Sequence, residues 1–155
     1  MELTIEQALQ QGVAAHREGK LEEAERLYRA ILQAQPLHPD ANHNLGVLAV
    51  SVNKAEAALP LFKAALEANP KIEQFWLSYI DALIKEKQFD IAKQVIEQAK
   101  TQDVTEEKLN VLESQLTLAT QVNEPKLAVQ NKSLSLSQKR KKLSQQKKQK
   151  KATKQ

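Results

Sequence analysis

The 155-residue chain contains no cysteine and only three histidines. The absence of cysteine excludes disulfide bonds, thiolate nucleophiles and cysteine-based zinc or iron–sulfur sites, and three scattered histidines are too few for a metal cluster. The first residues are acidic and amphipathic, unlike a secretory signal, and no stretch approaches about 18 consecutive apolar residues. We therefore expect a cytoplasmic protein with no membrane span, no metal and no other cofactor.

Glycine and aromatic residues are also scarce, with three glycines, one Trp, two Tyr and three Phe. So few of either argue against a protein of strands and turns, while the abundance of Ala, Leu, Glu, Lys and Gln favours helix. With 41% hydrophobic and 27% charged residues, the chain suits one domain with its own core. The sequence predicts an all-α fold.

The formal net charge of +4 hides an uneven distribution along the chain. Residues 1–125 contain 19 acidic and 12 basic side chains, a net charge of −7, whereas residues 126–155 contain 11 basic side chains and no acidic one. The end of the chain is rich in Lys, Gln and Ser and holds no aromatic residue, so it cannot bury enough apolar surface to fold. We predict a folded acidic domain over residues 1–122 and a disordered, low-complexity basic tail or linker over residues 123–155.

The basic tail has two interpretations. Its positive charge would attract a nucleic acid or another acidic surface weakly and without sequence preference, because no aromatic side chain is present to stack on bases. The other interpretation is an extended linker that needs no partner. The candidate polyanion-binding residues are Lys139, Arg140, Lys141, Lys142, Lys147, Lys148, Lys150 and Lys151.

An internal repeat organises the acidic part of the chain. The matching columns are Gly12 with Gly46, Ala24 with Ala58 and Ala92, Tyr28 with Phe62 and Ile96, Leu32 with Leu66, and Pro36 with Pro70. Each column recurs at the same interval, and a period of about 34 residues is typical of proteins in which similar units stack to share one continuous core. The acidic part is therefore predicted to be an array of stacked units.

Each unit is predicted to form two antiparallel helices. In the second unit Pro39 supplies the fixed φ of a helix start, and apolar residues then recur at helical spacing. Asn53 is the predicted N-cap of the following helix. Because the turn is short, we expect the small residues Gly46 and Ala58 to face each other across the hairpin, while the larger Phe62 fills the gap toward the next unit.

The second unit resembles the tetratricopeptide repeat. The shared pattern is Asn42-x2-Leu45-Gly46-x2-Ala49, then Ala58-x3-Phe62-x2-Ala65-Leu66-x3-Pro70. The resemblance covers roughly residues 5–104, as repeats 5–38, 39–72 and 73–106. The third repeat has the family's Trp at Trp76 but Ile80 and Val104 where Gly and Pro are usual. The resemblance implies a right-handed α-solenoid of three helix hairpins.

A fourth repeat does not follow, and residues 105–122 are predicted to form a capping helix. A solenoid needs a terminal element with one polar face. The apolar side of this helix is predicted to hold Leu109, Leu112, Leu116 and Leu118 or Ala119, and the polar side Glu106, Glu107, Lys108, Glu113 and Gln115. Asp103 or Thr105 is the expected N-cap.

The resemblance implies a concave groove, lined by the first helix of each repeat, that binds a peptide or a partner helix. Family members that grip chaperone C-termini use five polar positions, of which only Asn44 is retained here. A second mode of the family, in which a ladder of Asn amides bonds a peptide backbone, fits better because Gln and Ser also form hydrogen bonds. The predicted groove residues are Gln10, Val13, Arg17, His43, Asn44, Val47, Ser51, Gln74, Ser78, Asp81 and Lys85.

Several of these residues also have purely structural interpretations. Asn44 is equally consistent with a solvated helix residue. His16, His38 and His43 are expected at surface or turn positions because their spacing does not match a metal site. Trp76 is expected to pack at the interface between repeats. No nucleophile, base or phosphate loop is arranged as in an active site, so the chain is predicted not to be an enzyme.

Three functions are consistent with the sequence. The first is a non-catalytic protein–protein interaction scaffold, monomeric or weakly self-associating. The second is an accessory substrate-binding module, because the chain is similar to the N-terminal repeat region of bacterial tetratricopeptide proteins, some of which carry sulfotransferase or O-GlcNAc transferase-like glycosyltransferase domains. The third is an adaptor for nucleic acids or acidic surfaces that acts through the basic tail.

Overall fold

A computed structural model describes residues 2–123 of the chain. These residues form seven α-helices and no strand. The helices are α1 (Ile5–Arg17), α2 (Leu21–Ala34), α3 (Pro39–Ser51), α4 (Ala55–Ala68), α5 (Glu73–Lys85), α6 (Phe89–Lys100) and α7 (Glu106–Asn123). One compact unit ends at Leu116, so the last described turns of α7 belong to a second unit. The predicted disorder of the tail and its eight candidate polyanion-binding residues fall outside the described residues.

The helices follow the repeat period of the sequence. The first helices of the three pairs begin at Ile5, Pro39 and Glu73, and the second helices begin at Leu21, Ala55 and Phe89. Each helix packs on the next from α1 to α6, and the first helices also contact one another in order. The first unit therefore has the stacked helix hairpins of an all-α solenoid, as the sequence predicts.

The turn inside each hairpin repeats the same backbone conformation. Gly19, Asn53 and Lys87, which occupy the same position in the three repeats, have φ values of +78°, +61° and +59°. The N–H of the next residue donates to a carbonyl five positions earlier, as in Lys54 N to Ala49 O at 2.8 Å. This Schellman-type ending satisfies the last carbonyls of α1, α3 and α5.

The prediction that Asn53 caps α4 is wrong. Asn53 instead ends α3 in the left-handed region, which Asn tolerates better than most residues. Lys54 precedes α4 and makes no side-chain capping bond. The turn between α3 and α4 is short, and Asn53 adopts the conformation that reverses the chain there. Asn53 is therefore not the N-cap of α4.

The interior of each hairpin is built from the predicted columns. Ala24, Ala58 and Ala92 are 0% exposed, where two helix backbones approach closely. The atoms nearest to the glycines, however, belong to aromatic rings. A Cβ added at Gly46 would lie 2.5 Å from Cε1 of Phe62, and one added at Gly12 would lie 2.7 Å from Cε1 of Tyr28. Each glycine therefore makes room for an aromatic ring of its own hairpin.

Helix α7 covers the end of the third repeat, and its outer side is polar only in part. Leu109, Leu112 and Leu116 are buried in the core shared with α5 and α6, as predicted. Of the predicted alternatives Leu118 and Ala119, Leu118 is exposed and Ala119 is half-buried, and Val111 is 57% exposed. The apolar residues of α7 extend around more of the helix than one buried stripe needs, so part of its apolar surface faces outward.

Candidate peptide-binding groove

The junction between α3 and α5 is organised by a buried histidine. His43 is 9% exposed and lies between the rings of Phe62 and Phe75, at centroid distances of 5.5 and 4.8 Å. Its Nε2 lies 2.8 Å from Ser78 Oγ. The prediction of a surface or turn position is therefore wrong for His43. His16 is half-buried, and His38 caps α3 by accepting a hydrogen bond from Ala41 N at 3.1 Å.

The hydrogen bonds around His43 have a definite direction. Asn44 Oδ1, which can only accept, lies 3.4 Å from His43 Nδ1, and this contact fits the tautomer that carries its proton on Nδ1. The other nitrogen, Nε2, then accepts from the Ser78 hydroxyl. Gln74 Nε2 donates in turn to Ser78 Oγ at 3.1 Å. One chain of hydrogen bonds therefore joins the Gln74 and Asn44 amides of neighbouring repeats through a neutral imidazole.

The free energy of unfolding is expected to fall as the pH drops below about 6.5, because burial lowers the pKa of His43, against smaller opposite effects of Asn44 and Asp40. Below the ordinary His pKa of about 6.5 the unfolded chain binds a proton that the folded chain takes up only at lower pH. His43→Phe keeps an aromatic ring and removes the titrating group. The pH slope of stability in urea unfolding should decrease by at most about 1.4 kcal/mol per pH unit. Equal slopes for variant and wild type would contradict this.

The remaining predicted groove residues lie on the first helices but differ in their surroundings. Gln10 and Arg17 on α1 are exposed, and Val13 is half-buried against the core cluster that contains Tyr28 and Leu45. On α3, Val47 is half-buried, while the exposed Ser51 donates to Leu48 O at 2.6 Å. These residues lie along α1 and α3. Within the described part of the chain, no hydrogen bond connects them to the network around His43.

A cavity of about 340 Å³ lies between α5 and α7, and we call it the α5–α7 pocket. Helix α5 contributes Gln74, Leu77, Ser78 and Asp81. Helix α7 contributes Lys108, Val111, Leu112 and Gln115. Three predicted groove residues thus meet in one concave site, together with four α7 residues that the sequence analysis did not place in a binding site.

Two ion pairs lie beside the α5–α7 pocket. Asp81 Oδ2 lies 2.8 Å from Lys85 Nζ on the same helix. Glu73, the first residue of α5, joins the two walls by accepting from Lys108 Nζ at 2.8 Å and from Thr105 N at 2.6 Å. These bonds lower the pKa of Glu73 to about 2, with Lys108 as the main cause. Glu73 is therefore ionised at neutral pH and ties the start of α7 to α5.

The described residues hold neither a membrane span nor a metal cluster. None of the helices in residues 2–123 is long and apolar enough to cross a membrane. The same part of the chain contains no group of three or more acidic, His or Cys side chains that could hold a metal ion.

Comparisons with known proteins agree with the repeat period. Two models described as tetratricopeptide repeat match residues 9–71 and 49–116. A search of curated proteins found no match. Among solved structures, the chain is similar to the TPR domain of P58(IPK), with a TM-score of 0.66 and 21% identity over 77% of this chain and 33% of that one. The chain thus spans about a third of that structure.

Two other solved structures share the fold. The Sgt2 TPR domain from Aspergillus fumigatus has a TM-score of 0.65 and 20% identity, covering 77% of this chain and 82% of that one. The Yersinia enterocolitica type III secretion chaperone SycD, solved in complex with a peptide of the translocator YopD, has a TM-score of 0.63 and 14% identity, covering 81% and 96%.

The family follows from three agreeing observations. Helix pairs begin at a constant interval along the chain, the small and aromatic columns form the core of each pair, and both matching models describe the same repeat. The architecture is typical of non-catalytic scaffolds for protein–protein interaction. The chain belongs to the tetratricopeptide repeat family.

Proposed function

We propose that the chain is a non-catalytic scaffold that binds a peptide or a partner helix on the surface formed by α1, α3 and α5, which we call the repeat groove. The observation that carries the proposal is the hydrogen-bonded chain from Gln74 through Ser78 and His43 to Asn44, which connects two repeats at this surface. The SycD structure, which has the same fold and was solved with a peptide, supports a peptide as the ligand.

The network orients the two amides for main-chain recognition. Asn44 Oδ1 accepts from His43, which leaves the Asn44 amide N–H groups as donors. Gln74 Nε2 donates to Ser78, which leaves the Gln74 carbonyl oxygen as an acceptor. A peptide backbone offers both a carbonyl and an N–H group. Two fixed amides with opposite roles therefore suit a peptide whose recognition depends little on charge.

Asn44→Ala is expected to weaken peptide binding without unfolding the protein. Peptides selected from a phage-displayed library against the full chain serve as the probe, and their affinity is measured by fluorescence anisotropy. Loss of one neutral hydrogen bond corresponds to an increase in Kd of about 2- to 10-fold. The melting temperature should stay near that of wild type because Asn44 is only half-buried.

Asn110→Ala is the matched control, because Asn110 is exposed on α7 and does not line the α5–α7 pocket. It should bind the selected peptides like wild type. NMR titration of the wild-type chain should shift amide signals on α1, α3 and α5. Shifts confined to α2 and α4, or equal losses in the two alanine variants, would contradict binding in the repeat groove.

The basic tail provides a second candidate function, favoured by its 11 positive charges without an acidic residue. A full chain with the eight candidate tail residues replaced by Gln separates the two functions. Groove binding should survive this change and high salt. Binding that disappears with the tail charges and with salt would instead support an adaptor for nucleic acids or acidic surfaces.

A further inference from the structure

We propose that the α5–α7 pocket binds an uncharged peptide segment rich in aliphatic residues, and that α7 is half of the binding site rather than only a cap. This inference rests on the proposed function, because the pocket adjoins the repeat groove through Gln74 and Ser78. The sequence predicts α7 only as the capping helix of the solenoid. The structure gives α7 half of the pocket's lining residues.

The pocket offers apolar surface on both helices. Leu77 is half-buried on α5, and Leu112 is buried on α7. Val111 projects further and is 57% exposed. An exposed valine beside a concave apolar surface loses water contact when an aliphatic side chain enters. The pocket therefore fits an aliphatic side chain rather than a polar one.

The charges around the pocket are already balanced. Asp81 is paired with Lys85 at 2.8 Å, and Lys108 is paired with Glu73 at 2.8 Å. Glu73 is additionally fixed by the N–H of Thr105. A carboxylate on the ligand would compete with Glu73 for Lys108, and a cation would compete with Lys85 for Asp81. An uncharged segment meets neither penalty, so charge complementarity favours it.

The polar side chains of the pocket suit a peptide main chain. Gln74 on α5 keeps its carbonyl oxygen available, as described above, and Gln115 on α7 is exposed. Amides of this kind donate to a carbonyl or accept from an N–H group. With one amide on each wall and apolar side chains between them, the pocket can hold the backbone of a segment while it buries an aliphatic side chain.

A library of random peptides on phage, selected against the full chain, tests this inference. The enriched peptides should contain several Leu, Ile, Val or Met residues and lack Asp and Glu. Their Kd should change less than about twofold between low and high salt, since no ion pair forms on binding. Val111→Glu should raise the Kd about tenfold or more by placing a carboxylate against the aliphatic ligand.

The exposed position of Val111 means that Val111→Glu should fold, which circular dichroism verifies, and Val111→Gln provides an uncharged second variant. Ile91→Glu is the matched control, because Ile91 is an exposed aliphatic residue of α6 outside the pocket, 42% exposed. It should leave the Kd unchanged. Peptides rich in Asp or Glu, or peptides insensitive to Val111→Glu, would overturn this inference and leave groove binding in place. If no peptide is enriched, both proposals fail.

Discussion

Phe62→Ala is expected to lower the free energy of unfolding by about 3–5 kcal/mol, the range for deleting a buried aromatic ring. Phe62 is 1% exposed, packs against Gly46 of its own hairpin and lies 5.5 Å from the His43 ring at the junction with the third repeat. The deletion therefore leaves a cavity inside the second repeat and removes a support of His43. Because small domains have only about 5–15 kcal/mol of stability, this loss is a large part of the total.

The contact between Gly46 and Phe62 makes a second substitution diagnostic. Gly46→Ala alone should destabilise by about 1–3 kcal/mol, because the new Cβ would lie 2.5 Å from Cε1 of a ring that is packed on all sides. In the Phe62→Ala background the same substitution should be neutral or stabilising by up to about 1 kcal/mol, since Ala favours helix over Gly. The sign of the effect of Gly46→Ala thus depends on the ring.

Urea unfolding of the wild type, both single variants and the double variant, followed by circular dichroism, measures this coupling. If Phe62→Ala does not fold, Phe62→Leu provides a milder version of the same cycle. Additive effects of the two substitutions would contradict the contact. Additivity would mean that Gly46 does not contact the Phe62 ring and would favour the predicted pairing of Gly46 with Ala58.

The sequence contained the period of the fold and much of its core. The small and aromatic columns appeared by aligning the chain with itself at an offset of one repeat, and Ala58 and Phe62 are buried as that alignment predicted. The alignment gives the register of a column but not the partner across the hairpin. Gly46 was therefore assigned to the nearest small residue, although the structure uses it to accommodate a ring.

The candidate site was harder to predict, because its residues lie on helices of different repeats and no single helical spacing brings them together. His43 lies one residue before Asn44, and a polar residue in a polar run gives no sign that it is buried between Phe62 and Phe75. Burial there is set by the stacking of the third repeat on the second. One available signal is the position of His43 one residue after Asn42, which belongs to the buried column that continues in Trp76.

Helix α7 was predicted as an element, but the distribution of apolar residues over its surface was not. Its buried leucines were found by helical spacing, since Leu109, Leu112 and Leu116 point to one side. Val111 lies between that buried side and the outer surface, so a division into one apolar and one polar face leaves it out. Its role in the α5–α7 pocket depends on how α7 lies beside α5, which Glu73 and Lys108 help to fix and no local pattern shows.

Trp76→Ala is expected to lower the free energy of unfolding by about 3–5 kcal/mol, and Trp76→Phe by about 1–3 kcal/mol. The indole is 8% exposed within the core of the third repeat, and its Nε1 donates to Pro70 O at 2.7 Å. Phe keeps most of the ring but leaves the Pro70 carbonyl without this donor. The difference between the two variants separates packing from the hydrogen bond.

In the second repeat a different side chain makes the equivalent hydrogen bond to a prolyl carbonyl. Asn42 occupies the position of Trp76 and donates through Nδ2 to Pro36 O and His38 O, both at 3.0 Å, and Pro36 likewise occupies the position of Pro70. Asn42→Ala should therefore cost about 1–3 kcal/mol, because it leaves the Pro36 carbonyl without this donor, while the His38 carbonyl still accepts from Asn42 N at 3.1 Å. Thermal and urea unfolding by circular dichroism compares the three variants. If Trp76→Phe and Asn42→Ala were both within about 0.5 kcal/mol of wild type, the bonds to the prolyl carbonyls would not stabilise the turns between repeats.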